Sequence, residues 1–368
     1  FNPYTKEVKV FDRISGLGQN IHSLDYNAET GVMWIGTFLD GLYRYNIKTG
    51  NYKHYTNIES SGLGSDAIFD IVSQRNGKTW IATTQGLRFY DKERDCFVKI
   101  NHPRLSRDFV YTLLVDCDDN LWAGTCNSGL FRIDNRTGEI NNWTEQTDGS
   151  ALNDNYISAL FQDESNKIWL GTNNEGLRYV DPADLRLKAL PNGLSLNNNS
   201  ICSINEDLDG QLWISTSEGL YRFNKERNAS IKFTVADGLP SNQFNFGSSL
   251  FGRDSLMYFG TVNGLIYFDP KIIKNETSSS IVHLNELMLN GRKVTAASLD
   301  SPLAADIDDT QEIKLTYDQS RSISVGYGVV SPGKTSTINY QMRLLGYDKD
   351  WRNVGQQRKF QFFNIAPG

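Results

Sequence analysis

The stretch that decides the fold is Trp34-Ile35-Gly36-Thr37, an aromatic residue followed by an aliphatic residue, a small residue and Thr. The phrase recurs along the chain, with Ala or Ser at some of the small positions and Tyr opening the last copy. The aromatic residues that open the copies are Trp34, Trp80, Trp122, Trp169, Trp213 and Tyr258. The steps between them are 46, 42, 47, 44 and 45 residues. Gly-Leu follows each copy closely. A period in the mid-forties with strand-like content is typical of the blades of a β-propeller.

Each repeat predicts a meander of four short antiparallel strands, because alternating runs are separated by turns rich in Gly, Asn and Asp. In the first repeat we predict strands over residues 21–26, 32–37, 42–46 and 52–55. The opening aromatic residue lies on the second strand, where a large flat side chain can fill the gap between neighbouring twisted sheets. We therefore give the six aromatic residues a structural role and assign none of them to a ligand.

The composition limits the kinds of molecule that the chain is expected to bind. The chain has 368 residues, a net charge of −6 and no apolar run as long as a membrane span. This charge argues against general nucleic-acid binding, which requires a basic surface. One stretch, Arg75 to Arg107, carries eight Lys or Arg residues against three Asp or Glu. A solvated blade face is the simpler explanation, and a site for sulfated or uronate-bearing glycans is the alternative.

Neither a metal nor a cofactor is predicted. The segments 116–120 and 206–210 are rich in carboxylates, but both fall in the turn between the first and second strands, where Asp, Asn and Gly are expected. The four cysteines, Cys96, Cys117, Cys126 and Cys202, lack metal-binding spacing. We expect them to be free, partly buried thiols.

The repeats resemble those of the two-component regulator propeller family. The shared pattern, Asn-x-Ile leading through Asp-x-x-Gly-x-Leu-Trp-Ile-Gly-Thr to Gly-Leu, is carried by residues 20–42, 155–177 and 199–220. Residues 238–246 and 258–270 resemble the last blade of that family. Residues 281–292, Tyr317 and residues 338–351 are similar to the Tyr-rich immunoglobulin-like domain that follows such propellers.

The resemblance implies an all-β protein, with a β-propeller of four-stranded blades at 1–270, a linker at 271–280 and a partial immunoglobulin-like β-sandwich at 281–368. We expect this sandwich to be truncated at its C-terminal end. Six repeats are visible, and the family favours a seven-bladed parent. Residues 1–11 match the fourth strand of a blade and are predicted to end a preceding blade.

The resemblance also implies a function. Such tandems form the periplasmic sensor of hybrid two-component histidine kinases that are tied to polysaccharide use. We therefore expect a non-catalytic, periplasmic region that recognises a glycan-derived oligosaccharide and signals through the immunoglobulin-like module. The full-length receptor is expected to be a homodimer, with membrane contact only through a transmembrane segment outside this chain.

The candidate binding face is the one formed by the loops between blades and the turns between second and third strands. Its Asn residues and scattered aromatics suit sugar hydroxyls and sugar rings. The predicted ligand-binding residues are Asn20, Phe38, Arg107, Asn127, Tyr156, Asn173, Glu175, Asn199 and Asn242. Two other classes stay open. A propeller hydrolase or lyase could use Glu175 and Glu218 as a carboxylate pair, and a scaffold would bind no sugar.

Overall fold

A computed structural model describes two compact units, Phe1–Ile272 and Ile273–Gly368. The described residues are 4–5, 7, 20–58, 61–147, 152, 154–181, 183–190, 199–225, 229–273, 282–329, 340–348, 350–355 and 357–363. The strand predicted within residues 1–11 lies largely outside them, as does most of the predicted linker at 271–280. The first two linker residues belong to a 3₁₀ turn, Pro270–Ile272, at the end of the first unit.

The first unit is a ring of antiparallel sheets. Blade one comprises β1 Ile21–Asn27, β2 Val32–Thr37, β3 Leu42–Asn46 and β4 Tyr52–Tyr55. Blade two comprises β5 Ile68–Ser73, β6 Thr79–Thr83, β7 Gly86–Asp91 and β8 Cys96–Lys99. Blade three comprises β9 Val110–Val115, β10 Leu121–Thr125, β11 Leu130–Ile133 and β12 Ile140–Trp143.

The same order continues in the other three sheets. Blade four comprises β13 Ile157–Gln162, β14 Ile168–Thr172, β15 Leu177–Asp181 and β16 Arg186–Ala189. Blade five comprises β17 Ile201–Glu206, β18 Leu212–Thr216, β19 Gly219–Asn224 and β20 Ala229–Phe233. Blade six shows β21 Phe244–Phe251, β22 Met257–Thr261 and β23 Gly264–Phe268, and a 3₁₀ turn, Val235–Asp237, precedes it. The predicted β-propeller of four-stranded blades is confirmed.

The repeated tryptophans are core residues of this ring. Their side chains are at most 5% exposed, and Tyr258 is half-buried. Each tryptophan packs against the next blade. The ring of Trp34 lies 4.9 Å from that of Tyr90, and the ring of Trp213 lies 4.9 Å from that of Phe268. Stacking one blade on the next therefore buries a continuous apolar layer.

Side chains of the turns hold four of these indoles in place, carboxylates for Trp122, Trp169 and Trp213 and the amide of Gln74 for Trp80. The indole N–H of Trp122 donates to Asp116 Oδ2 at 2.8 Å, and that of Trp213 donates to Asp207 Oδ2 at 2.8 Å. The carboxylate of Asp116 also accepts backbone N–H bonds from its own turn, at Asp118 and Asn120. The acidic turn segments are thus occupied by hydrogen bonds within the fold.

The small residue of the repeat lets the next blade approach closely. A Cβ atom added to Gly36 would lie 2.6 Å from Ile68 Cγ2, and one added to Gly124 would lie 2.8 Å from Ile157 Cγ2. In blade two the small residue is Ala82, and it shares a buried cluster with Val110, which lacks the δ-methyl group of Ile. Thus the next blade supplies Ile beside Gly36, Gly124 and Gly171, and the smaller Val beside Ala82.

The seam between the last and the first blade is more open than the other interfaces. Ile21, which begins β1, is 48% exposed, whereas Ile68, Val110, Ile157 and Ile201 at the same position are fully buried. Among the described residues, the three atoms nearest to a Cβ on Gly260 of blade six would belong to its own blade, in Ser248 and Asn245. The seven-bladed parent stays a prediction.

The second unit is also built from antiparallel sheets. Its described strands are β24 Val282–Leu289, β25 Arg292–Val294, β26 Ser322–Val329, β27 Tyr340–Met342, β28 Arg352–Gly355 and β29 Lys359–Phe363, with a 3₁₀ turn at Ile307–Asp309. One sheet has the order β25-β24-β26-β29, and β27 pairs with β28. Leu287, Leu289, Leu303 and Ile307 form a buried cluster. The immunoglobulin-like assignment stays a prediction.

Candidate functional site

A recurring β-bulge aims one side chain per blade at the central axis. In blade one, Ile21 pairs with Thr37 and Ser23 pairs with Gly36, so that the intervening His22 has no partner on β2. Blades two to five repeat this shift of register, and blade six has a longer irregular segment between Phe244 and Ser249. Bulges redirect side chains and often lie beside functional sites. The bulge residues of blades one to five are His22, Phe69, Tyr111, Ser158 and Cys202.

These residues surround a central cavity of ≈ 600 Å³ that is lined by all six inner strands. This volume lies within the range of small-molecule sites, roughly 300–1,000 Å³. The wall is uneven. At the level of the bulges, blades one to three contribute the rings of His22, Phe69 and Tyr111 and blade six contributes that of Phe246, whereas blades four and five contribute Ser158 and Cys202. Phe161 of blade four also lines the cavity. The wall therefore combines aromatic rings with small side chains.

The rings at the level of the bulges form a continuous cluster. Phe69 is at its centre, with ring centroids 4.7 Å from His22, 4.4 Å from Phe109 and 5.3 Å from Tyr111. Tyr111 extends the cluster across the axis, with its centroid 5.6 Å from that of Phe246. Most of these pairs are tilted or edge-on, which is the favoured geometry for aromatic pairs.

The titratable groups around the cavity are held in their uncharged forms. Burial lowers the pKa of His22, and burial raises the pKa of Cys202 to about 12. Burial also raises the pKa of Tyr111, which is hydrogen-bonded to Tyr156. Burial raises the pKa of Cys126, a neighbour of Tyr156, to about 11. These thiols are therefore poor nucleophiles at neutral pH.

Asp70 is the exception. Its carboxylate lines the cavity and joins three blades, accepting bonds from Ser23 Oγ at 3.2 Å, Thr112 Oγ1 at 3.3 Å and the Leu113 N–H at 2.7 Å. Burial is the largest effect on this group and raises its pKa to about 6 from 3.8, although the hydrogen bonds oppose that shift. Asp70 is thus a deep carboxyl group that changes charge near neutral pH.

Asp70 should make the stability of the propeller depend on pH. Because the folded-state pKa is about 6 and the ordinary value is 3.8, the native state binds this proton more tightly than the unfolded state. The contribution of the group to the free energy of unfolding should therefore be fully present below pH 3.8 and fall as pH rises through about 6. The loss should be on the order of 2–3 kcal/mol. Urea unfolding of wild type and Asp70→Asn across pH 4–7 measures it, and parallel profiles for the two proteins would contradict it.

Two predicted residues extend the aromatic cluster. The ring of Phe38 lies 5.9 Å from that of Phe69, and the ring of Tyr156 lies 5.3 Å from that of Tyr111. The backbone also places predicted neighbours together. The Phe38 N–H donates to the Asn20 carbonyl at 2.8 Å, and the Asn173 N–H donates to the Tyr156 carbonyl at 3.1 Å. Four predicted residues thus lie beside the mouth of the cavity.

Other predicted Asn side chains form bonds within the protein. Asn199 is 7% exposed and its amide donates to the Tyr221 hydroxyl at 3.3 Å. Asn242 Oδ1 accepts the Val235 N–H at 2.7 Å, and Asn127 Nδ2 donates to Asp108 Oδ1 at 3.2 Å. The other carboxylate oxygen, Asp108 Oδ2, is buried and has no hydrogen-bond partner among the described residues. This oxygen can accept a further hydrogen bond.

Arg107 and Glu175 do not line the cavity, nor do the other predicted residues, within the part of the chain that is described. Arg107 is exposed on the loop before blade three. The carboxylate of Glu175 lies 3.9 Å from the guanidinium of Arg178, and that of Glu218 lies 3.8 Å from the ammonium of Lys232. The proposed carboxylate pair is thus divided between two separate ion pairs. All nine assignments stay predictions.

Sequence reasoning missed the bulge residues, of which His22, Phe69 and Tyr111 are the largest. They immediately follow the Ile or Val that begins the inner strands of blades one to five, so regular alternation would give them no distinct role. The signal that was available is variation at one repeat position. The preceding position repeats Ile or Val, whereas the bulge position changes from His to Phe, Tyr, Ser and Cys.

The geometry defines a β-propeller with a central cavity, and comparisons with known proteins agree. The two component regulator propeller profile matches residues 151–174. The chain therefore carries the regulator propeller repeat predicted from its sequence. It is 26% identical, over 91% of its length, to "Histidine kinase P4" of Formosa agariphila. The chain spans 25% of the length of that relative.

Two solved extracellular domains from B. thetaiotaomicron have a similar fold. One belongs to a proposed one component system, with a TM-score of 0.53 and 21% identity, and the match covers 97% of this chain and 53% of that domain. The other belongs to a proposed hybrid two component system, with a TM-score of 0.50 and 22% identity, covering 95% of this chain and 52% of that domain. In the described part of this chain, helices are confined to single turns, and none has the length of a membrane span.

Proposed function

We propose that this chain is the periplasmic, ligand-sensing part of a hybrid two-component histidine kinase and that it recognises a glycan-derived oligosaccharide. The observation that carries the proposal is the axial cavity, whose wall combines aromatic rings with small polar groups. Sugars present apolar C–H faces and hydroxyl edges, and such a wall can contact both. The matched regulator propeller repeat and the similarity to a histidine kinase support the receptor context.

Binding without turnover is the proposed role. The thiols and phenols around the cavity have raised pKa values, so none of them is an activated nucleophile. Ligand would shift signalling by favouring one arrangement of a homodimeric receptor, with the second unit passing the change towards the membrane. The dimer and that route are part of the proposal.

Calorimetric titration of the chain with a panel of oligosaccharides tests the proposal. Saturable binding without product formation is expected, and Phe38→Ala or Tyr156→Ala should weaken it about tenfold. Lys48→Ala is the matched control, because Lys48 lies at an exposed turn on the opposite face. Cleavage of a glycan would instead indicate an enzyme. Absence of binding across the panel would favour a scaffold.

A further inference from the structure

The charge on the described wall of the central cavity is negative. The described lining residues come from all six inner strands, and none of them is Lys or Arg. His22 is the closest to a cation, and burial lowers its pKa, so its ring is neutral at neutral pH. Asp70 is the one lining residue with a charged side chain among those described. The described wall of the cavity therefore offers no positive group to pair with an anion.

The mouth of the cavity also carries negative rather than positive groups among the residues described. Asp108 lies beside Cys126, and Asp154 lies beside Tyr156, where its Oδ1 accepts the Tyr156 N–H at 2.9 Å. The predicted loop cation, Arg107, is exposed and outside the lining. An acidic sugar would thus approach carboxylates before it reached the aromatic wall.

The basic stretch between Arg75 and Arg107 does not reverse this bias. The guanidinium of Arg88 is buried and donates to the Leu87 carbonyl at 3.1 Å. The ammonium of Lys78 lies 4.2 Å from the centre of the Trp80 ring. The guanidinium of Arg75 donates to a carbonyl in the neighbouring blade, at 2.9 Å. These three cations form contacts within and between blades.

We infer that the cavity selects an uncharged sugar unit and rejects units that carry a carboxylate or sulfate. This inference rests on the proposed function and specifies its ligand class. Burying an unpaired anion costs several kcal/mol, because the ion loses hydration without gaining a partner. A neutral sugar loses only hydroxyl hydration. It can regain hydrogen bonds from the Ser, Thr and Asn side chains of the inner strands and stack on Phe69 and Tyr111.

The test uses matched ligand pairs. Neutral gluco-, galacto-, manno- and xylo-oligosaccharides are titrated into the chain, and each hexose oligomer is compared with the uronate made by oxidising its C6 hydroxyls. We expect at least one neutral oligomer to bind and its oxidised partner to bind about tenfold or more weakly. His22→Lys adds a cation to the wall and should restore affinity for the oxidised partner.

Two cavity variants locate the bound sugar. Phe69→Ala should weaken the neutral ligand about tenfold or more. Tyr111→Phe keeps the ring and removes one hydroxyl, so it should give a smaller loss while its melting temperature stays near that of wild type. Unchanged affinity in both variants would place the ligand elsewhere and overturn the inference.

The outcomes separate the two claims. Equal or tighter binding of the oxidised partners to wild type would overturn the uncharged-ligand inference and leave the proposed sensor function standing. No binding by any neutral or oxidised oligomer would overturn the sensor function and the inference together. Binding of neutral oligomers that is lost on oxidation and weakened by Phe69→Ala supports both.

Discussion

Trp122→Ala should lower the free energy of unfolding by about 3–5 kcal/mol, the cost of truncating a large buried aromatic residue. Its side chain is 1% exposed and lies in a cluster with Ile157 and Leu170 of the next blade. The substitution would open a cavity between blades three and four. It would also remove the indole donor at 2.8 Å from Asp116 Oδ2, which would keep only its hydrogen bond from Asn120 Nδ2 at 3.0 Å among those described, and the lost bond adds to the cost.

Denaturant unfolding of three variants measures this effect. Trp169→Ala should behave like Trp122→Ala, because its indole is buried and donates to Asp163 Oδ2 at 2.8 Å. Lys48→Ala should be nearly silent, since the side chain is exposed and exposed changes are usually within about 0.5 kcal/mol. Equal midpoints for all three variants would show that the repeated tryptophans do not join the blades.

Gly36→Ala should destabilise the propeller by about 1–3 kcal/mol, although Ala suits a strand better than Gly does. The added methyl group would lie 2.6 Å from Ile68 Cγ2, and Ile68 is fully buried in the next blade. The blade interface must then widen or the Ile side chain must rotate. Gly328→Ala is the matched control, because its nearest atom, in the side chain of Asn285, would lie 3.6 Å away.

Ile68→Ala should cost about 2–5 kcal/mol by itself but should offset part of the cost of Gly36→Ala. It removes Ile68 Cγ2, the atom that the new methyl group on residue 36 would meet at 2.6 Å. A double-mutant cycle should therefore give a favourable coupling energy between the two sites. Strictly additive losses would show that the two positions do not constrain each other.

The blades were predictable because their information is local. The aromatic residue, the small residue and the Gly-Leu turn recur within each repeat, and every strand predicted for blade one agrees with the structure to within one residue. The turn sequences are equally local, since Asn, Asp and Gly adopt turn conformations at little cost. The partner of the indole N–H was not predicted, because it depends on how the turn folds back over the second strand.

The binding surface was less predictable. Phe38 and Tyr156 were among the predicted ligand-binding residues, and both adjoin the aromatic cluster. Phe69 and Phe246 were missed, although both line the cavity. A bulge interrupts the two-residue alternation of a strand, so a pattern of alternating polar and apolar residues cannot show which side chain turns to the axis.

The sequence by itself determined the repeat, its period, the strands of each blade and the residues that join one blade to the next. These features depend on side chains that are close along the chain or that occupy the same position in every repeat. Only the tertiary structure decided that His22, Phe69 and Tyr111 meet around one cavity and that none of its described lining residues is Lys or Arg. The ring brings together residues that are about one repeat apart, and the bulges turn them inward, so their contacts arise from the assembly of blades.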